Sequence, residues 1–335
     1  MIGVASLEQQ ARVAPHVPAR VFITGANGFI GRALAIRLRE LGAQVTGVDL
    51  AADPEHGVIA GSTTDPAAWA DALAGVDAVI HTAAIVSNVA SVADAWQVNV
   101  LGTRLVLQEA AQHGVRRFVH LSSIAAYGFD YQGVIDETYP IRVNGDSYTD
   151  TKVNSEAVVM TAHAAGEIPC TIIRPGDVYG PGSVWVREPL QMIKARQLVL
   201  PAGGAGVFHP IYIDDLVDGI LLALSNEAAA GQVFLLTAGH GIPCKEFFGR
   251  LAAMAGGSIT MLPSAIAVPL AATAGKVLRG LRQPSELSAA TMRMLSATGD
   301  FSIDKARSVL GFEPRVPFDE GMKRVQAWAR AEGMI

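Results

Sequence analysis

A chain of 335 residues, half of them hydrophobic, is long enough to bury one large α/β core and a smaller second one. Its formal net charge of −5 and isoelectric point near 5.9, with no basic run, exclude nucleic acid as the main partner, because holding a phosphate backbone needs clustered Lys and Arg. Two widely separated cysteines, Cys170 and Cys244, exclude a disulfide framework and a structural zinc site; no metal is expected, and a reducing cytoplasm fits.

Residues 1–18 lack a basic start followed by a continuous apolar core, so they read as a loose leader and not a signal peptide. Val21 to Thr24 then forms an apolar strand that runs into Gly25, Gly28 and Gly31 and on into a helix. Gly25 and Gly28 let the chain turn sharply and let a phosphate approach the backbone, and Gly31 lets the helix pack close to the strand. With Asn27, Phe29 and Ile30 they form a loop at a helix N-terminus, whose free N–H groups suit a pyrophosphate. A purely structural turn has the same spacing, so the residues that follow have to decide.

The next strand, 44–49, ends on Asp49, about twenty residues past the turn, where a dinucleotide fold places the acid that accepts from the ribose hydroxyls. A carboxylate repels a 2′-phosphate, and Leu50 stands where an arginine would welcome one. NAD is therefore favoured over NADP, with Arg32 and Arg37 as the residues that could still meet a 2′-phosphate; the plain alternative for Asp49 is a turn cap. A third strand at 58–61 precedes Ser62 and Thr63, placed beside an adenine, and Asp65 with Pro66 reads as a helix start. The buried-type strand 77–84 ends in Thr82, Ala83 and Ala84, small residues past which a cofactor can lie, while His81 reads as a core histidine. A helical stretch at 91–113 contains Asn99, and the strand 117–123 ends on Ser122 and Ser123.

This alternation predicts an α/β fold, a Rossmann-type doubly wound parallel sheet with a smaller C-terminal substrate-binding subdomain. Residues 19–180 form the NAD-binding part, with returns near 208–236, and 181–335 mainly the substrate-binding part. Ligands in such sheets bind beyond the carboxyl ends of the strands, the rim shared by the glycine turn, Asp49, Thr82 and Ser123.

Past that rim, Tyr148 and Lys152 lie four apart at a helix start and share one face. A phenol that titrates near 10 is too weak a base at neutrality, but an ammonium and an oxidised nicotinamide beside it favour phenolate. Hydride then passes between a carbinol carbon and the nicotinamide, with Tyr148 handling the hydroxyl proton, Ser123 holding the oxygen and Lys152 also reaching the nicotinamide ribose.

With these residues in this order the chain resembles the extended short-chain dehydrogenase/reductase family, over residues 20–330. The matching segments are Thr24 to Gly31, His81 to Ala84, Asn99 to Thr103, Ser122 to Gly128, Tyr148 with Lys152, and Arg174 to Gly182. The resemblance implies catalytic Ser123, Tyr148 and Lys152, and further cofactor contacts at Pro175 and Val178. It also implies a homodimer formed through helices near 91–113 and 147–166. Among its branches, 262–279 and 301–314 look most like the 3β-hydroxysteroid and sterol dehydrogenases.

Two departures bear on the substrate. Asp177 stands where nucleotide-sugar members carry Asn, and Phe208-His209-Pro210 stands where they carry a diphosphate-gripping arginine. Ile85, Tyr127, Asp177, Trp185 and Phe208 are expected to line an apolar substrate site. The expected substrate is a hydrophobic alcohol or its ketone, sterol-like or aromatic, with a sugar epimerase or dehydratase that retains its NAD as the alternative and a non-catalytic dinucleotide sensor as a third. The apolar stretch 259–275, broken by Pro263 and Pro269, falls short of a bilayer span and is left as core, substrate mouth or membrane-surface contact.

Overall fold

The computed structural model describes residues 17–282 and 285–335, so all but the last two positions of the expected leader lie outside the described residues. Seven parallel strands form the central sheet: β1 (Arg20–Thr24), β2 (Gln44–Asp49), β3 (Val58–Ala60), β4 (Ala78–His81), β5 (Arg117–Leu121), β6 (Cys170–Pro175) and β7 (Val233–Leu236). Their order is β7-β6-β5-β4-β1-β2-β3. The chain winds one way from β1 to β3, crosses back to β4 beside β1, and winds the other way. That crossover between β1 and β4 is the topological switch point at which such sheets bind ligands.

Side chains alternate across the strands, which lets both faces be covered. Val21 and Ile23 of β1 pack into a core with helix α1 (Phe29–Glu40) and, further along the chain, the helix Ile213–Ser225. Phe22 points the other way, into a second core. That core is closed by a 3₁₀ segment carrying Trp69 and Leu73 and by helices α3 (Thr103–Gln112) and α4 (Ser147–Ala164). Each fully buried Phe or Leu contributes on the order of 1.5–3 kcal/mol.

The helix expected to start at Asp65 and Pro66 is a single 3₁₀ turn, Pro66–Ala68, with no side-chain cap bond from Asp65. The helical stretch 91–113 is α2 (Val92–Trp96), a wide π turn over Gln97–Gly102, and α3; the π turn carries Asn99. Residues 181–282 and 285–335 supply the remaining helices, α5 (Val184–Lys194), α6 (Ile213–Ser225), α7 (Cys244–Ala255), α8 (Ser264–Gly280), α9 (Ala289–Met294) and α10 (Phe318–Ala331). Of these, α6 packs under the main sheet and β7 extends it, so the segment 213–236 belongs to the first layer system. No helix among the described residues is long and apolar enough to cross a membrane.

Packing between β1 and α1 is close, and a Cβ on Gly31 would overlap the Gly25 carbonyl. We expect Gly31→Ala to lower the unfolding free energy by about 1–3 kcal/mol, the usual cost of overpacking, as read from denaturant midpoints at unchanged slope.

Candidate active site

At the switch point, Gly25 has φ 70°, and a Cβ there would stand 2.8 Å from both the Ala83 nitrogen and Thr82 Oγ1. Only glycine lets the β1 turn lie against the end of β4. The Gly28 N–H donates to the Gly25 carbonyl at 3.0 Å, and Gly28 caps α1 with no side-chain bond. The first-turn N–H groups of Phe29, Ile30 and Gly31 therefore face the rim with no side-chain partner, a seat for a diphosphate.

Asp49 ends β2 and accepts from the Asn27 N–H at 2.8 Å and the Leu50 N–H at 2.7 Å. It fixes the glycine turn and keeps lone pairs free for further donors. Arg32 donates to the Asn27 carbonyl and sits 3.7 Å from Asp53, while Arg37 turns away to Glu40 and Asp218. Of the two arginines, only Arg32 stays near the adenosine end. Ser62 bonds Thr64 Oγ1 within its turn, and the buried Thr63 packs on Gly102.

Beyond β4, Thr82 Oγ1 donates to the Thr24 carbonyl at 2.7 Å, which closes the chain over the glycine turn. Asn99 accepts from the Ile85 N–H at 2.7 Å and donates to the Ile85 carbonyl and Thr151 Oγ1, each at 3.0 Å. Its amide is thus taken up in pinning the loop of Ala83, Ala84 and Ile85 to α4. His81 is a satisfied core residue, bonded to Thr24 Oγ1 and Thr103 Oγ1.

Helix α4 starts at Asp146, whose carboxylate accepts from the Thr149 N–H, and this N-cap aims Tyr148 at the end of β5. There the Tyr148 and Ser123 hydroxyls are hydrogen-bonded, and the Lys152 ammonium lies 5.8 Å from the center of the Tyr148 ring. Lys152 is buried and donates to the Leu121 carbonyl at 2.7 Å. Burial pulls its pKa down to about 8, with Glu156 opposing the shift. Burial also pushes the Tyr148 phenol up to about 12, against the Ser123 hydrogen bond and with the Asp177 and Asp146 charges adding to the rise. Desolvation thus favours the neutral phenol in the chain by itself, whereas the expected phenolate relied on the charge of an oxidised nicotinamide as well as on the lysine. His81 and His120, stacked at 5.4 Å, are held neutral by burial and by Lys152, so the lysine is the cation at this spot.

Asp177 follows Pro175 on a short strand, Asp177–Tyr179, that pairs with Pro210–Tyr212; Val178 lies next to it, partly buried. Its carboxylate accepts from the His209 N–H at 2.9 Å, and burial raises its pKa to about 7. Its charge also raises the pKa values of Tyr148, Tyr131 and Cys244, so these groups share one buried region.

Two expected lining residues sit elsewhere. Tyr127 is buried, donates to the Asp136 carbonyl at 2.9 Å and accepts from Arg174 at 2.6 Å, because a phenol in an apolar cluster must satisfy its hydroxyl. Phe208 is buried in an aromatic cluster, 4.2 Å from Phe247 and 5.2 Å from Trp185 between ring centers, and Trp185 keeps the partly exposed side.

Sequence reasoning passed over the network that holds α4 in place. Glu156 takes a bidentate bond from Arg174 at 2.9 and 2.6 Å and a third from Ser122 Oγ at 2.5 Å, all buried. Its signal was the run Tyr148, Lys152 and Glu156 at successive four-residue steps, which puts a polar stripe on the buried face of one helix.

Comparison with known proteins bears on this arrangement. A model of the NAD dependent epimerase/dehydratase family matches residues 21–236. The chain is 29% identical over 334 residues to a 2-alkyl-3-oxoalkanoate reductase of Stenotrophomonas maltophilia, covering 93% of this chain and 100% of that one. It is 32% identical over 321 residues to a 3 beta-hydroxysteroid dehydrogenase/Delta 5→4-isomerase of Mycobacterium tuberculosis, covering 88% and 86%. The crystal structure of a short-chain dehydrogenase/reductase superfamily protein from Agrobacterium tumefaciens with bound NAD superposes with a TM-score of 0.74 at 25% identity, covering 93% and 98%.

The raised Asp177 pKa has a consequence for stability. An acid that folding makes harder to ionise carries no penalty below the unfolded value of 3.8, and the penalty grows as pH rises to about 7. Asn in its place can still accept from His209. We therefore expect Asp177→Asn to be more stable than the parent at pH 8 by ~2 kcal/mol, a figure discounted for partial exposure, and the two to converge below pH 4 in parallel urea titrations.

Proposed function

Because the chain belongs to the NAD dependent epimerase/dehydratase family, we propose that it interconverts a hydrophobic secondary alcohol and its ketone, sterol- or steroid-like or aromatic, with NAD as the redox partner. One observation carries the reading: the hydrogen-bonded Ser123 and Tyr148 hydroxyls beside the buried Lys152, on the rim next to the glycine turn. The names of the two relatives, a ketone reductase and a hydroxysteroid dehydrogenase, support the reaction class.

The residues present fit the dinucleotide. The uncapped N–H groups of Phe29, Ile30 and Gly31 would hold its pyrophosphate, Asp49 and Asn27 the adenosine ribose, Ser62 and Thr63 the adenine side, and Pro175, Val178 and Lys152 the nicotinamide end. When bound, NAD supplies the hydride acceptor or donor. Asp49, Leu50 and the turned-away Arg37 support NAD over NADP.

Ser123 positions the substrate oxygen, and Tyr148 gives or takes its proton. The neutral phenol that burial favours is the form that protonates a ketone oxygen, while alcohol oxidation requires phenolate. The Asp177 charge that acts on Tyr148, and the partly exposed Trp185, disfavour a diphosphate or other anion near the reacting carbon and favour an uncharged apolar body. A homodimer through the helices near 91–113 and 147–166 is supported by the exposed Val92, Trp96 and Leu101.

Steroids, aromatic diols and aliphatic alcohols, screened with NAD and NADP in parallel, are expected to give NADH with an apolar secondary alcohol, and the oxidation rate is expected to rise with pH through the alkaline range. Epimer formation from nucleotide sugars with no net NADH would overturn the reading. Tyr148→Phe is expected to lose about 10²–10⁴-fold in turnover while NADH fluorescence titrations still report binding; equal turnover in variant and parent would remove Tyr148 from the mechanism.

A further inference from the structure

Helix α8 buries small residues, with Val268 packing beside them, and leaves one row of large residues exposed. Its buried positions are Ala267, Ala271 and Gly275, and the helix lies so close to the segment after it that a Cβ on Gly275 would overlap the Leu287 carbonyl. The opposite side holds Ile266 and Leu270, each 53% exposed, Val277 at 57% and, just past the last turn, Leu281 at 67%. Steps of four, seven and four keep these on one side of the helix. A helix that serves only the protein interior has the reverse arrangement, and an apolar stripe of this kind marks a surface made to be covered.

The charge around the stripe indicates what covers it. In a chain of net charge −5, no Asp or Glu occurs between Glu246 and Glu286, whereas Arg250, Lys276, Arg279 and Arg282 do. Lys276 and Arg282 are exposed and make no ion pair among the described residues. Arg279 is partly buried and donates to the Ser285 and Leu287 carbonyls. The next acid along the chain, Glu286, is exposed, but its carboxylate is engaged by the protein, accepting from Ser87 Oγ at 2.6 Å and from the Asn88 N–H at 3.0 Å. A second copy of the same face would bring no acid to meet these cations. The helix has 17 residues, ~25 Å at 1.5 Å per residue, short of a ~30 Å hydrocarbon core, so it can lie along a bilayer but not across it.

We propose that the outer face of α8 docks in the plane of an anionic lipid surface, with Ile266, Leu270, Val277 and Leu281 entering the acyl boundary and Lys276 and Arg282 meeting the headgroups. The face is joined to the candidate active site. Glu286 ties the segment after α8 to the loop of Ser87 and Asn88, which continues from Ile85 and exposes Val86 at 68%. Docking therefore sets the mouth of that site against the phase in which an apolar substrate dissolves. The docking itself stands whatever the reaction, and its test reads no activity.

Sedimentation of the full chain with vesicles of phosphatidylcholine alone, or mixed with phosphatidylglycerol, tests the proposal. The parent is expected to pellet with the mixed vesicles several-fold more than with phosphatidylcholine, and less as salt is raised. The double variant Leu270→Glu/Leu281→Glu is expected to lose about tenfold or more in vesicle affinity at unchanged melting temperature and elution volume. Lys276→Glu/Arg282→Glu is expected to abolish only the preference for the anionic vesicles. No pelleting of the parent with either vesicle, equal pelleting of parent and Leu variant, or a shift of the Leu variant from dimer to monomer would each overturn it, the last by assigning the face to a second copy.

Discussion

The candidate site depends on one buried ion pair. Arg174 at the end of β6 and Glu156 in the middle of α4 meet in a bidentate contact, both nearly inaccessible to water. A charge pair in such a place survives only if its remaining bonding capacity is met, and Ser122 and Tyr127 meet it. The four groups come from the segment after β5, α4 and β6. Their pairing sets the depth and rotation of α4 against the sheet, and with it the position of Tyr148 and Lys152 over the end of β5. A helix held only by apolar contacts could slide by a fraction of a turn; one held by a fork of two hydrogen bonds cannot do so without leaving a charge unpaired.

The same low-dielectric pocket sets the protonation states. Lys152, Tyr148, Asp177, His81 and His120 are all shifted toward their neutral forms by burial, as expected of titratable groups crowded into a site from which water is excluded. Perturbation of this kind in one cleft is itself a marker of chemistry. It also constrains direction, since a phenol held neutral is a ready acid, whereas its use as a base requires positive charge to be brought close.

Much of the architecture was legible because its signals are local. The steps between Gly25, Gly28 and Gly31, the short apolar strands, Asp49 at a strand end and the Tyr148–Lys152 pair each express a rule that operates within a few residues. The helix expected after Asp65 shrank to one turn because Pro66-Ala67-Ala68 lacks an amphipathic stripe long enough to pack. Tyr127 and Phe208 were assigned to a substrate lining by their place in a motif, but whether an aromatic ring faces a cleft or a core depends on what the far end of the chain brings to it. Phe301 and Phe247 close over them from segments far along the sequence.

By itself, then, the sequence determined the parallel sheet, the glycine turn at its switch point and the pairing of Tyr148 with Lys152 on one helix, because period, turn chemistry and helical spacing are properties of neighbours. Only the tertiary structure decided that Asn99 is taken up by the protein, that Glu156 and Arg174 hold α4, that burial raises the Tyr148 phenol, and that α8 leaves Ile266, Leu270 and Val277 exposed. The physical reason is common to all four. Burial, pairing and exposure are set by groups distant in sequence, and an apolar run such as 259–275 reads the same whether the large side chains or the small ones end up against the core.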